Sequence, residues 1–207
     1  MTDPNYSALL LVIDRSGSMH DIRDDMVGGL EQLLADQRAQ PGLLTVDVVI
    51  FDHEVEWLHS MADPSAVQVV LDPRGGTALY DAIGMSLQRF GHDLAALPEH
   101  ARPDTVQVVI VTDGFENSSR EYTAATVRAL ITQQTETYGW DFVFLGANQD
   151  AVLTAQALGI AADSALTYAP SSDAVGSMGK SASRYVTDVR GKRKQGFTEG
   201  ERDGAAG

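Results

Sequence analysis

The 207-residue sequence contains no cysteine. Disulfides, thiolate metal sites and cysteine nucleophiles are thereby excluded, and any metal must be held by oxygen or by histidine. Positive charge is scarce: 15 Lys and Arg stand against 29 Asp and Glu, for a formal net charge of −14. Such a surface suits neither nucleic acid, whose phosphates need a basic face, nor an anionic membrane. No apolar run approaches the ~18 residues of a membrane span. The first residues, MTDPNYSALLLVID, lack a basic n-region, and their short apolar run stops at Asp14, so they do not read as a signal peptide. The expectation is a soluble protein of the cytoplasm. Five histidines (His20, His53, His59, His92 and His100) show no H-x-x-x-H or H-E-x-x-H spacing, which argues against a histidine-built zinc site.

What is present is an alternation of apolar runs and helical patterns. ALLLVI (8–13), LLTVDVVIFD (43–52), TVQVVIVTD (105–113), WDFVFLGA (140–147) and SALTYA (164–169) read as strands. Helices are predicted over 22–39, 78–94, 121–139, 150–160 and 171–190, the last weakened by Gly176 and Gly179. Residues 64–71 read as a short helix or loop. Only Asp52, His53 and Glu54 separate the second strand from HEVEWLHSM (53–61), which marks one antiparallel hairpin. Buried strands alternating with helices predict an α/β fold: a doubly wound, mostly parallel sheet with one antiparallel edge strand and helices on both faces. One domain is expected over residues 1–190. Residues 191–207, Gly-rich and charged, read as a flexible tail. Residues 190–207 carry five basic and three acidic groups, so the remainder holds −16.

In such sheets the working site lies at the carboxyl ends of the strands, near the switch in strand order. The first strand runs into Asp14, Ser16 and Ser18, and a later strand into Asp113-Gly114. A loop between them, DPRGGTALYDAI (72–83), offers Thr77 behind two glycines. Three hydroxyls and two carboxylates at one rim are hard oxygen donors, the chemistry of Mg²⁺, which takes six oxygens at about 2.0–2.1 Å and usually keeps several waters.

DRSGSM, GGT and VTDG, in this order, resemble the von Willebrand factor A domain and its metal-ion-dependent adhesion site (MIDAS), D-x-S-x-S…T…D. GGTALYDAI and TDGFENSS are similar to bacterial intracellular members of that family. The resemblance spans about residues 6–190. It implies that Ser16 and Ser18 ligate the metal directly and that Thr77 does so directly or through water. Asp14 and Asp113 would hold coordinated waters or, in some states, touch the ion. It further implies Mg²⁺, or Mn²⁺ or Ca²⁺, as the ion. The partner would be a protein presenting an Asp or Glu to the open coordination position. The residues themselves offer no G-x-S-x-G elbow around Ser16 and no G-x-x-x-x-G-K-[ST] nucleotide loop, so the expectation is that the chain is not an enzyme. In the family, metal binding can move the last helix.

Plainer readings stand beside these. Ser18 with Asp21 has the form of a capping-box variant, Thr77 is placed to cap a helix, and Asp113-Gly114 suits a turn. A Mg²⁺-dependent hydrolase using Asp14 or Ser16 as nucleophile is a second functional reading, although no base is evident and Arg15 and Arg74 are the only cations close in sequence. A metal-independent scaffold is a third. His20, Phe115, Glu116, Asn117, Asn148 and Asp150 are candidates for the rim. The basic run Arg190–Lys194 is either solvated or a docking strip for an acidic partner.

Overall fold

The computed structural model describes residues 2–147 and 150–207. Its order is β1 (Asp3–Asp14), α1 (Arg23–Arg38), β2 (Leu43–Phe51), β3 (Val55–Ala62), α2 (Leu79–Ala96), β4 (Pro103–Thr112), α3 (Ala124–Tyr138), β5 (Asp141–Ala147), α4 (Ala151–Ala157), β6 (Ala165–Tyr168), α5 (Ser172–Arg190) and α6 (Glu199–Ala206). The strands form one six-stranded sheet in the order β3-β2-β1-β4-β5-β6. β1, β2, β4, β5 and β6 run parallel, and β3 pairs antiparallel with β2 as the hairpin predicts.

Alternating side chains of each strand feed two cores. Leu9, Leu11 and Ile13 of β1 pack with α1, α5 and α6 on one face, while Ala8, Leu10 and Val12 pack with α2, α3 and α4 on the other. Strands buried on both faces must be apolar at every position, which is why β1 reads as a continuous run. Residues 64–71 form no helix. Val67, Val69 and Leu71 are buried in the α1-side core while Gln68 and Val70 face out, so this segment is an extended loop with a strand's alternation.

Two expectations need correction. Gly179 is no weak point in α5: a Cβ there would come within 3.1 Å of the Gly29 Cα, so the glycines let α1 and α5 cross almost backbone to backbone. Gln37 of α1 donates to the Ser183 carbonyl and the Thr187 hydroxyl, and Arg190 donates back to the Gln37 carbonyl. Second, residues 191–207 are not a loose tail. Phe197 is buried against Tyr185, with ring centroids 5.2 Å apart, and α6 docks on α5 and β6. Arg184 forks onto both carboxylate oxygens of Glu201 at 2.8 and 2.7 Å, and Arg202 donates to the carbonyls of Ala165 and Ala162. The basic run is used within the chain, with Lys192 paired to Asp104 and Lys194 to Asp141. Among the described residues no helix is long and apolar enough to cross a membrane.

Candidate metal centre at the carboxyl ends of the strands

β1 and β4 are neighbours at the point where the strand order reverses direction, so the loops that follow them lie side by side. Asp14 is the last residue of β1, and Asp113 directly follows β4. The chain after Asp14 enters a 3₁₀ turn over Gly17–Ile22 before α1. That turn brings Ser16 and Ser18 to the same side, their hydroxyls 3.1 Å apart. The Ser18 hydroxyl donates to Asp113 Oδ1 at 2.6 Å.

Thr77 enters from the loop before α2. Its N–H donates to Asn117 Oδ1 at 2.9 Å, and its carbonyl accepts from the N–H groups of Asn117 and Ser118. Gly114 marks where these groups meet. A Cβ built there would lie 3.0 Å from the Thr77 hydroxyl, 3.6 Å from that of Ser18 and 3.8 Å from that of Ser16. All five predicted residues therefore converge at one rim. Asp14, Ser16, Thr77 and Asp113 are buried, and Ser18 and Gly17 open to solvent.

The capping readings of the serine and threonine are not what the structure shows. The cap position of the 3₁₀ turn falls to Ser16, that of α1 to Ile22 and that of α2 to Ala78, so neither Ser18 nor Thr77 is a cap, and none of the three makes a side-chain cap bond. The hydroxyls of Ser16 and Ser18 point at each other and at Asp113.

Asp14 accepts the Ser16 N–H at 2.6 Å on one oxygen and the Thr112 hydroxyl at 2.6 Å on the other. Burial nevertheless pushes its pKa up to about 6, and the charge of Asp113 adds to the rise. Burial raises Asp113 as well, against the hydroxyl bond from Ser18. Arg15, the cation next to Asp14 in the chain, turns away onto Asp52 and Glu56. The donor set is thus two buried carboxylates held by neutral donors, with three hydroxyl oxygens around one point. It fits a hard divalent cation, which would offset the charge that burial leaves exposed to repulsion.

The other rim candidates divide. Asn117 holds Thr77. Glu116 accepts from Ser118, Ser119 and Tyr80 and so stitches its own loop to α2. Phe115 is 65% exposed beside Gly114. His20 is exposed and 3.4 Å from Asp21. Asp150 caps α4 by accepting the Leu153 N–H. Asn148 lies outside the described residues. Sequence reasoning missed Thr112, whose hydroxyl links Asp14 to the Gly114 N–H, and Tyr168, whose hydroxyl donates to the Thr112 carbonyl. A polar Thr closing the apolar run VVIVT was the available signal for the first.

Solved structures share this architecture. The chain superposes on proximal thread matrix protein 1 from the mussel byssus, solved with zinc in its MIDAS motif. The TM-score is 0.64 and the identity 15%, over 89% of this chain and 46% of that one. It matches a von Willebrand factor type A protein from Catenulispora acidiphila with a TM-score of 0.60 and 16% identity, covering 87% of this chain and 42% of the other. For the vWF domain of the type V pili tip protein Mfa5 from Porphyromonas gingivalis the TM-score is 0.63 at 10% identity, over 94% and 98%. The chain thus spans less than half the length of the first two. At these identities the likeness shows the fold, that of von Willebrand factor A domains, and fold does not fix function. No protein-family profile and no curated protein matches the sequence.

Proposed function

We propose that the chain is a divalent-metal-dependent protein-binding module. Ser16 and Ser18 ligate the ion directly, Thr77 directly or through water, and Asp14 and Asp113 hold its waters or touch it. The observation that carries this reading is the convergence of three hydroxyls around Gly114 beside two buried carboxylates of raised pKa. Neutral ligands leave most of the ion's charge uncompensated, so the open side at Gly17 and Ser18 attracts an Asp or Glu from a protein partner. The partner's carboxylate meets an acidic chain, but the ion inverts the local sign and bulk repulsion is screened beyond about 8 Å at physiological salt. Mg²⁺ is the first choice, with Mn²⁺ and Ca²⁺ as hard-oxygen alternatives. The zinc of the mussel protein makes Zn²⁺ a necessary comparison. Hydrolysis draws no support from His20, which is exposed beside Asp21.

Calorimetric titration of EDTA-stripped protein with each ion tests the proposal. Saturable binding to one site is expected in the wild type and none in Asp14→Ala. Absence of binding in the wild type at millimolar metal, or equal binding by Asp14→Ala, overturns it.

A further inference from the structure

Beside this rim a second charged constellation joins the same loops. We propose that Asp52, gripped by Arg15 and Arg74, is a clasp that sets the Thr77 loop against the serine loop and so positions Thr77 for the ion; the inference rests on the metal-binding reading above. Asp52 follows β2 and is fully buried. Its Oδ2 accepts Arg15 Nε at 3.1 Å and Arg74 Nε at 2.9 Å, and its Oδ1 accepts the Glu54 N–H at 2.7 Å. Arg15 lies between Asp14 and Ser16, and Arg74 lies three residues before Thr77. One carboxylate oxygen therefore joins the two metal-bearing loops.

The backbone repeats the connection. The Arg74 N–H donates to the Arg15 carbonyl at 2.8 Å, Gly17 to the Gly75 carbonyl at 3.3 Å, and Ala78 to the Asp52 carbonyl at 2.7 Å. Residues 74–78 are thus laid along 15–17 and hooked to Asp52 on both sides of Thr77. Gly75 has a φ of +69° and passes so close to the His53 ring that a Cβ would collide with it. Arg15 extends the clasp through Nη1 to Glu56 at 2.9 Å.

Among the histidine and carboxylate side chains of the described residues, Asp52, His53 and Glu54 form the one group of three whose ligand atoms all lie within 4.8 Å of one another. Three N–H donors, two of them guanidinium, already occupy the Asp52 oxygens, so this group serves the loops and not a cation. The Thr77 loop needs such an anchor. It carries two successive glycines, and α2 begins without a side-chain cap. A metal ligand has to be held to about 0.5 Å to be useful.

Arg74 is the arm to remove, because its side chain is 50% exposed while that of Arg15 is only 5% exposed. EDTA-stripped Arg74→Ala, Thr77→Ala and the double variant are titrated with Mg²⁺, and amide hydrogen exchange of each is followed in EDTA. Arg74→Ala is expected to bind Mg²⁺ about tenfold more weakly, the lower end of the range for partners of metal ligands, and Arg74→Lys to recover part of the loss. In the Thr77→Ala background the same change has no further effect, because the clasp acts through Thr77. The Gly17 and Ala78 amides exchange faster in Arg74→Ala. Wild-type affinity in Arg74→Ala, or an equal loss in the Thr77→Ala background, overturns the proposal. Should the wild type take up no Mg²⁺, the metal reading fails by itself and exchange decides the clasp: unchanged protection of Gly17 and Ala78 overturns it, and faster exchange sustains it as a loop anchor.

Discussion

Two kinds of buried carboxylate stand on one rim. Asp52, after β2, meets two arginines. Burial alone would raise its pKa, but the Arg74 bond, the Glu54 N–H and the charge of Arg15 hold it below the usual carboxylate value. Asp14, at the end of β1, meets only neutral donors, the Ser16 N–H and the hydroxyls of Thr112 and Ser16, and it stands at about 6. The strands deliver the three aspartates Asp52, Asp14 and Asp113 in the same way. The difference lies in the counter-charge: the protein supplies two arginines to Asp52 and none to Asp14, and on the proposed function a cation from outside fills that place.

The same substitution at the two sites should therefore have opposite characters. Asp52→Asn strands Arg15, buried, without its principal counter-charge, and breaking a buried pair costs about 3–5 kcal/mol. The expected fall in unfolding temperature is on the order of 10 °C. Asp14→Asn in EDTA loses a charge that burial disfavours and at most one hydrogen bond, so its stability stays within about 1 kcal/mol of wild type. Thermal unfolding of both variants in EDTA at pH 7.5 checks this. Equal destabilisation would mean that Asp14, too, is compensated from within.

Metal and proton should compete at Asp14. Its folded pKa of about 6 lies above the ordinary 3.8. The folded chain therefore binds more protons than the unfolded chain between those values, and without metal stability falls as pH rises through that window. An ion that replaces the proton restores what is lost. At a hundredfold excess of Mg²⁺ over its dissociation constant the gain is about 2.7 kcal/mol. At equal metal concentration the increment should be clearly larger at pH 7.5 than at pH 5, because protonated Asp14 resists the ion. Unfolding temperatures with and without Mg²⁺ at both pH values measure it. An increment independent of pH would remove Asp14 from the site.

Much of this was legible in the chain, and the exceptions have physical causes. Strands buried on both faces announce themselves as apolar runs, and strand ends in a doubly wound sheet must gather at one rim, so Asp14, Ser16, Ser18, Thr77 and Asp113 could be named together. Asp52 ends an apolar run in the same way, VVIFD after LVID and VIVTD. It reads as a hairpin residue because its partner Arg74 is 22 residues away and contact at that range leaves no local pattern. Gly179 reads as a helix weakener until Gly29 is seen against it. Residues 191–207 read as tail because their docking rests on a few separated side chains, Phe197, Glu201, Arg202 and Ala205. The capping box of Thr198 and Glu201 was the available sign of α6.

Thr112 sharpens the contrast most finely. Its hydroxyl donates to Asp14 at 2.6 Å and accepts the Gly114 N–H at 3.2 Å, tying the two strand ends together without a charge. Thr112→Val keeps the branched shape the strand core requires and removes only this link. Without its donor Asp14 should titrate still higher, and Gly114 should lose its fixed distance to the three hydroxyls. Mg²⁺ affinity at pH 7.5 is expected to weaken about tenfold, roughly 1.4 kcal/mol. Part of the loss should return at pH 8.5, where the carboxylate is again fully ionised. Titration at the two pH values separates the contributions. A loss independent of pH assigns Thr112 to the geometry of Gly114, whereas full recovery assigns it to the charge of Asp14. An unchanged affinity would show that a neutral hydroxyl at this position does not matter to the ion, and that the N–H and hydroxyl of Ser16 suffice to hold Asp14 in place.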